Sequence, residues 1–83
     1  MHSGRQFVTL EELSTLLTDE LQLVEGAAGS RITVQYKLFT PDPDGCNWLD
    51  SVVVVTGPNA SVEILRTHVQ RLVQNARQGF NIK

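Results

Sequence analysis

The stretch that decides the fold is residues 31–56, RITVQYKLFTPDPDGCNWLDSVVVVT. Over 31–39 apolar side chains alternate with polar ones, a period of two that is typical of a half-buried β-strand. Residues 48–56 predict a second strand, because they contain four consecutive valines and β-branched residues favour strands. Since side chains alternate along a strand, two of these valines must face each side of the predicted sheet.

The segment between the two strands predicts a turn. Residues 40–47 read TPDPDGCN. Within them Pro43 presets φ, Asp44 can accept a hydrogen bond from its own backbone, and Gly45 tolerates a positive φ. A connection this short favours an antiparallel return, because a parallel return needs a dozen or more residues. Residues 31–56 therefore predict an antiparallel hairpin.

A helix is predicted on the N-terminal side of the hairpin, over 9–25. Thr9 and Glu12 match the capping box, in which each residue satisfies a backbone donor of the other. Apolar residues follow at helical spacing, and glycine at position 26 favours the end of the helix. The members of this apolar stripe are Leu10, Leu13, Leu17, Leu21 and Val24.

A second helix is predicted on the C-terminal side, over 60–78. Apolar residues again recur with a period of 3.6, from Val62 to Ala76. Asn59 is the predicted N-cap, and Gly79 is the predicted stop. The predicted fold class is α+β, with helix–strand–strand–helix order (αββα) and a hairpin covered by two helices. Residues 1–8 are expected to be a flexible N-terminal segment, and 9–83 a single domain.

Composition limits the classes of protein that the chain can represent. Apolar residues make up 41% and charged residues 19%, which is typical of a globular domain rather than a disordered one. There is no apolar run of about 18 residues, so no membrane span is expected, and no apolar segment of signal-peptide type stands near position 1. The single cysteine fits a reducing compartment. We therefore expect a cytoplasmic protein.

The outward-facing valines predict self-association. Exposed valines on a hairpin with open edges favour pairing with another chain. The sequence predicts a homodimer, formed by edge pairing into a four-stranded sheet or by stacking of outer faces. The alternative is a monomer in which Arg5–Val8 or Asn81–Lys83 covers the valines. The candidate interface residues are Val52, Val53, Val54, Val55 and Trp48, and for Trp48 a place in the core is the alternative.

An alternative function is a small-molecule pocket. Glu20 falls within the apolar arc of the first helix, where a carboxylate must be paired, protonated or near water. Tyr36 and His68 are its candidate partners in such a pocket. The competing interpretation is structural: the stem of Glu20 packs while its carboxylate reaches solvent or an arginine.

A second alternative is weak nucleic-acid binding through a basic face on the C-terminal helix. Arg66, Arg71 and Arg77 are its candidate residues. The charge is unevenly spread: residues 1–50 carry three basic and eight acidic side chains, and 51–83 carry four and one. The distribution is expected to reflect complementary pairing within the fold or between subunits, and the alternative is a basic C-terminal face that meets an acidic partner. The net charge of −2 argues against a nucleic-acid partner.

The sequence predicts no catalytic, cofactor or metal site. The acidic turn misses the ligand positions of a calcium loop, and Cys46 stands among carboxylates that disfavour its thiolate. No nucleophile and base occur in a recognisable motif. The leading hypothesis is a small homodimeric interaction or assembly module without catalytic activity, whose partner is itself or another protein.

Overall fold

A computed structural model of the chain describes residues 5–35 and 37–83. It is a small α+β fold with two helices and short strands. In chain order the elements are β1 (Gln6–Val8), α1 (Leu10–Gln22), β2 (Arg31–Val34), β3 (Val52–Val55), α2 (Val62–Gly79) and β4 (Phe80–Ile82). The predicted helix–strand–strand–helix order is present, and it is flanked by a short strand on each side.

The start of α1 confirms the capping box. Thr9 Oγ1 accepts a hydrogen bond from the Glu12 backbone N–H at 3.0 Å, and Glu12 Oε1 accepts one from the Thr9 N–H at 2.8 Å. The helix ends at Gln22, three residues before the predicted end at 25, and Gly26 adopts a φ of +90° in the turn that follows. Its buried face carries Leu13, Leu17 and Leu21.

The N-cap of α2 differs from the prediction. Ser61 caps the helix, since its side chain accepts a hydrogen bond from the Ile64 N–H at 3.4 Å. Asn59 lies instead in a turn closed by a hydrogen bond from the Ala60 N–H to the Gly57 carbonyl. Both residues are good N-caps, so the choice depends on this turn, which the sequence pattern does not reveal.

The antiparallel hairpin is confirmed. Arg31 pairs with Val55, and Val34 with Val52. Both strands are shorter than predicted, although a bridge between Lys37 and Trp48 continues the pairing toward the turn. Gly45 has the expected positive φ of +86°.

The aspartate that organises the turn is Asp42 rather than the predicted Asp44. Its Oδ1 accepts hydrogen bonds from the backbone N–H groups of Asp44 and Cys46, both at 3.0 Å. The Gly45 N–H donates to its backbone carbonyl at 2.8 Å. The turn is therefore stabilised largely through one carboxylate.

The sequence predicts no element before Thr9, and here the structure differs. β1 pairs in parallel with β4, with Gln6 opposite Phe80 and Val8 opposite Ile82. Each strand has three residues, which is too few to show a period. Residues 1–4 of the predicted flexible segment lie outside the described residues.

The core lies between the two helices and the inner face of the hairpin. Trp48 is completely buried, and its indole Nε1 donates a hydrogen bond to the Phe80 carbonyl at 3.0 Å. The other large members of the core are Leu13, Leu17, Leu21, Ile32, Val34, Leu65, Val69, Val73 and Ile82. This arrangement positions one open strand, β3, alongside one helix, α2.

Candidate interaction groove

Helix α1 covers the outer edge of β2 with hydroxyl side chains. The Ile32 N–H donates to Thr18 Oγ1 at 3.0 Å, and the Thr18 hydroxyl donates to the Ile32 carbonyl at 3.1 Å. The Val34 N–H donates to Ser14 Oγ at 2.9 Å. The backbone groups of Ile32 and Val34 therefore point toward α1 and away from β3.

This arrangement fixes the direction of the backbone groups of β3. In an antiparallel pair, residues directly opposite each other either exchange both hydrogen bonds or direct both sets of groups outward. Ile32 is opposite Val54, and Val34 is opposite Val52. The N–H and C=O groups of Val52 and Val54 therefore point to the other edge of β3, which pairs with no strand in the described part of the chain.

The open edge of β3 lines an apolar groove. The groove has a volume of about 390 Å³ and lies between β3 and α2. Val52 and Val54 form its strand side, and Val62, Leu65, Val69 and Val73 form the apolar part of its helix side. An extended segment laid along β3 would thus find both backbone partners and an apolar surface.

The two ends of the groove differ in charge. At one end Gln74 Nε2 donates a hydrogen bond to Asp50 Oδ2 at 3.3 Å. Because only residues 56–61 connect β3 to α2, the start of α2 lies at the opposite end, beside Thr56. Arg66, one turn into the helix, lines the groove toward that end. The groove is acidic at its Asp50 end and basic toward its Thr56 end.

The structure identifies the outward-facing valines. Val53 and Val55 are 40% and 54% exposed, whereas Val52 and Val54 are half-buried toward the groove. The terminal segments do not cover Val53 and Val55, because β1 and β4 pair with each other. The cover over these valines that the monomer alternative expects from Arg5–Val8 or Asn81–Lys83 is therefore not observed.

Trp48 is the one predicted interface residue that the fold removes from the surface. Its side chain is completely buried in the core, so it has no area to offer a partner. Arg77 lies over its ring, with the guanidinium carbon 6.0 Å from the ring centroid. Trp48 is therefore a core residue and not part of the candidate interface.

The predicted pocket of Glu20, Tyr36 and His68 is not assembled by the described residues. Glu20 is exposed and lies in a groove of about 270 Å³ between α1 and α2, which His68 does not line. His68 Nδ1 lies 2.6 Å from the guanidinium of Arg71 instead. Tyr36 lies outside the described residues. The structural interpretation of Glu20 is favoured, because its stem lines this apolar groove while the residue is exposed.

The three predicted basic residues do not act as one face. Arg77 forms an ion pair with Asp42 at 2.6 Å and also donates to the Trp48 carbonyl, so its side chain is only 17% exposed. Arg71 contacts His68, and Arg66 lines the interaction groove. The pair of Arg77 with Asp42 joins the basic and acidic parts of the chain, as the charge distribution predicts.

Two further polar residues connect the terminal strands to the turn, and no sequence motif identifies them. Asn47 acts as a backbone mimic: its Nδ2 donates to the Ile82 carbonyl and its Oδ1 accepts from the Ile82 N–H, both at 2.7 Å. Arg5 donates to the carbonyl of Arg77 at 2.6 Å and to that of Asp44 at 2.9 Å. These contacts are long-range, so local sequence carries no signal for them.

The described residues form neither a metal centre nor a membrane-spanning helix. Within residues 5–35 and 37–83, no group of three or more His, Cys, Asp or Glu side chains could hold a metal ion. No helix there has both the length and the apolar character needed to cross a membrane. Cys46 is a buried, packed residue, with its Sγ 3.5 Å from the Trp48 carbonyl.

Comparison with known proteins gives no relative. No protein-family model, curated protein or solved structure matches this chain. The open edge of β3 and the groove beside it are therefore the features of this chain that bear on its function.

Proposed function

We propose that this chain is a small, non-catalytic interaction module that pairs with a second copy of itself along β3. The observation that supports this proposal is the open backbone edge at Val52 and Val54, which lines an apolar groove formed with α2. The single buried cysteine fits a reducing compartment, so the proposed location is the cytoplasm.

The pairing that fits this edge is antiparallel and two-fold symmetric. Val52 of one copy lies opposite Val54 of the other, and the two Val53 residues face each other across the axis. Each Val52–Val54 pair exchanges two backbone hydrogen bonds, so roughly four form across the interface. The product is a four-stranded sheet in the order β2–β3–β3–β2.

The same symmetry covers the apolar groove. A two-fold axis perpendicular to the sheet keeps both inner faces on one side, so both α2 helices lie over the central strands. Val62, which is 58% exposed in the isolated chain, then loses solvent contact together with the half-buried Val52 and Val54, whereas Leu65 and Val69 are already buried. Burial of apolar area stabilises such an interface by about 25 cal/mol per Å².

A second copy is the occupant that this surface favours. In a two-fold contact the same patch serves both partners, and an antiparallel strand edge is complementary to itself. A chain of 83 residues buries a limited fraction of its surface alone, so a shared core gives it added stability. The charges at the ends of the groove are also complementary under the two-fold operation.

The test is the mass of the protein in solution and its response to an edge variant. We expect sedimentation equilibrium to give a dimer for the wild type. Val54→Pro removes a backbone donor that points away from β2, a position where proline is tolerated in an edge strand. The variant should be a folded monomer, with the circular dichroism of the wild type. Val55→Thr, on the outer face, is the matched control and should stay dimeric.

A second variant protects the test against a local folding defect. Val54→Lys keeps the backbone donor but places an ammonium group in the apolar groove, which should also give a monomer. A wild-type chain that remains monomeric up to about millimolar concentration would contradict the proposal. Only a dimer with a dissociation constant weaker than about millimolar would escape detection under these conditions. Dimers of undiminished affinity in both Val54 variants would contradict the proposal equally.

A further inference from the structure

We infer that Asp50 of one copy pairs with Arg66 of the other, and that these two contacts select the orientation and the partner of the β3 interface. This inference rests on the proposed function. It assigns a specificity role to two side chains that line the ends of the groove, about 390 Å³ in volume.

The direction of β3 brings the two residues together. The strand runs from the Asp50 end of the groove to the Thr56 end, and α2 runs back in the opposite direction to Gln74, which contacts Asp50. An antiparallel second copy therefore presents its Asp50 at the Thr56 end, which is the end of the groove nearer to Arg66 along α2. The two-fold axis makes the contact twice.

Arg66 is available for this role within the described chain. It is exposed, and the ion pair found among residues 5–35 and 37–83 involves Arg77 and Asp42 instead. Asp50 is also exposed, and it accepts one hydrogen bond from Gln74. Both charges therefore remain at the surface of the isolated chain, at opposite ends of an apolar groove.

The contacts discriminate against the wrong arrangement. A parallel pairing of the same two β3 edges would turn the second copy over, so that its α2 would lie on the opposite face of the sheet and its Asp50 could not reach Arg66. The two Asp50–Arg66 contacts therefore form only in the antiparallel arrangement. A different protein with an open strand edge would also lack the matching charge at each end.

The experiment uses two charge-reversal variants, Asp50→Lys and Arg66→Glu. Each variant alone converts both contacts into like-charge contacts, so its dimer dissociation constant should rise by about tenfold or more. In an equimolar mixture the heterodimer regains two opposite-charge contacts. Native mass spectrometry with one variant isotopically labelled should therefore show mainly heterodimer, with an affinity close to that of the wild type.

Arg71→Glu is the matched control. It makes the same charge change on an exposed residue of α2, but Arg71 does not line this groove. Its dimer should keep a dissociation constant within about twofold of the wild type, as expected for a charge outside the contact. The chain that carries both Asp50→Lys and Arg66→Glu should form homodimers again.

The outcomes separate this inference from the proposed function. A dimeric wild type whose single variants dimerise equally well, and whose mixture shows statistical exchange, would overturn the charge pairing and leave the β3 dimer intact. A monomeric wild type would overturn both. Weakened single variants that regain affinity on mixing would support both.

Discussion

Gly57 lies directly after β3, at a point where the chain passes the backbone of residues 28 and 29. It is buried, and its N–H donates a hydrogen bond to Ser30 Oγ at 2.9 Å. A Cβ at this position would lie 2.1 Å from the Ala28 carbonyl oxygen, and the nearby atoms belong to backbone that cannot rotate away. Only glycine allows this close approach.

We expect Gly57→Ala to lower the free energy of unfolding by about 3 kcal/mol, because the overpacked backbone must shift. Urea denaturation measures the change. Gly79→Ala is the control, since no atom lies within 4 Å of a Cβ there. At the end of α2 it should raise stability by up to about 1 kcal/mol. Equal stability of the two variants would mean that the chain does not pass so closely at Gly57.

The carboxylate of Asp42 makes the stability of the folded protein depend on pH. The backbone N–H of Cys46 hydrogen-bonds its carboxylate and, with Arg77 and the Asp44 N–H, holds the pKa of Asp42 below its usual value. A carboxylate whose folded pKa is lowered stabilises the fold above its unfolded pKa of about 3.9, and this contribution is lost as pH falls through the folded value.

We expect Asp42→Asn to be less stable than the wild type at pH 7. The difference should shrink as the pH falls below about 4, because the wild-type carboxylate is then protonated as well. Thermal melts from pH 2 to pH 7 measure this convergence. Asp19→Asn, the same change on an exposed residue of α1, should run parallel to the wild type. A constant gap between Asp42→Asn and the wild type across this range would contradict the role of the carboxylate.

At the scale of elements, the capping box fixes the start of α1. We expect Thr9→Ala to lower the free energy of unfolding by about 1 kcal/mol, since it removes the acceptor for the Glu12 N–H. Thr15→Ala, an exposed mid-helix position, should leave stability unchanged or slightly raised, because alanine has the higher helix propensity. A melt of Thr9→Ala that coincides with the wild type would show that the cap does not contribute.

The elements that sequence predicts are those held by local contacts. The capping box joins Thr9 and Glu12, three positions apart, and the hairpin follows from alternation and one turn, so both are visible in the sequence. β1 and β4 are different: Val8 pairs with Ile82, at the opposite end of the chain, and each strand is too short for a pattern. The N-cap of α2 fails for a similar reason, because Ser61 and Asn59 are equally good candidates until the turn at Gly57 is known.

At the scale of the whole molecule, the sequence predicts part of the candidate site, namely the valine run, but not the groove beside it. The run Val52–Val55 predicts two valines on each face, but the register decides which pair faces out, because Val52 and Val54 lie opposite the buried Val34 and Ile32. The helical arc correctly places Glu20 beside Leu16 and Leu17, yet its exposure depends on how much of α1 the second helix covers. Sequence reports periodicity, whereas the open edge beside α2 depends on how separate elements pack.

The hydroxyl groups of Ser14 and Thr18 protect one edge of the hairpin from pairing with another chain. Strand edges usually permit indefinite growth, because each added chain offers a new edge to the next. Here α1 occupies the N–H groups of Ile32 and Val34, so β2 has little to offer an incoming strand. In the proposed β3 dimer, α1 of each copy would then cover the two outer edges of the four-stranded sheet. Growth of that sheet by further strand pairing would stop at the second molecule, which would limit the hazard of polymerisation.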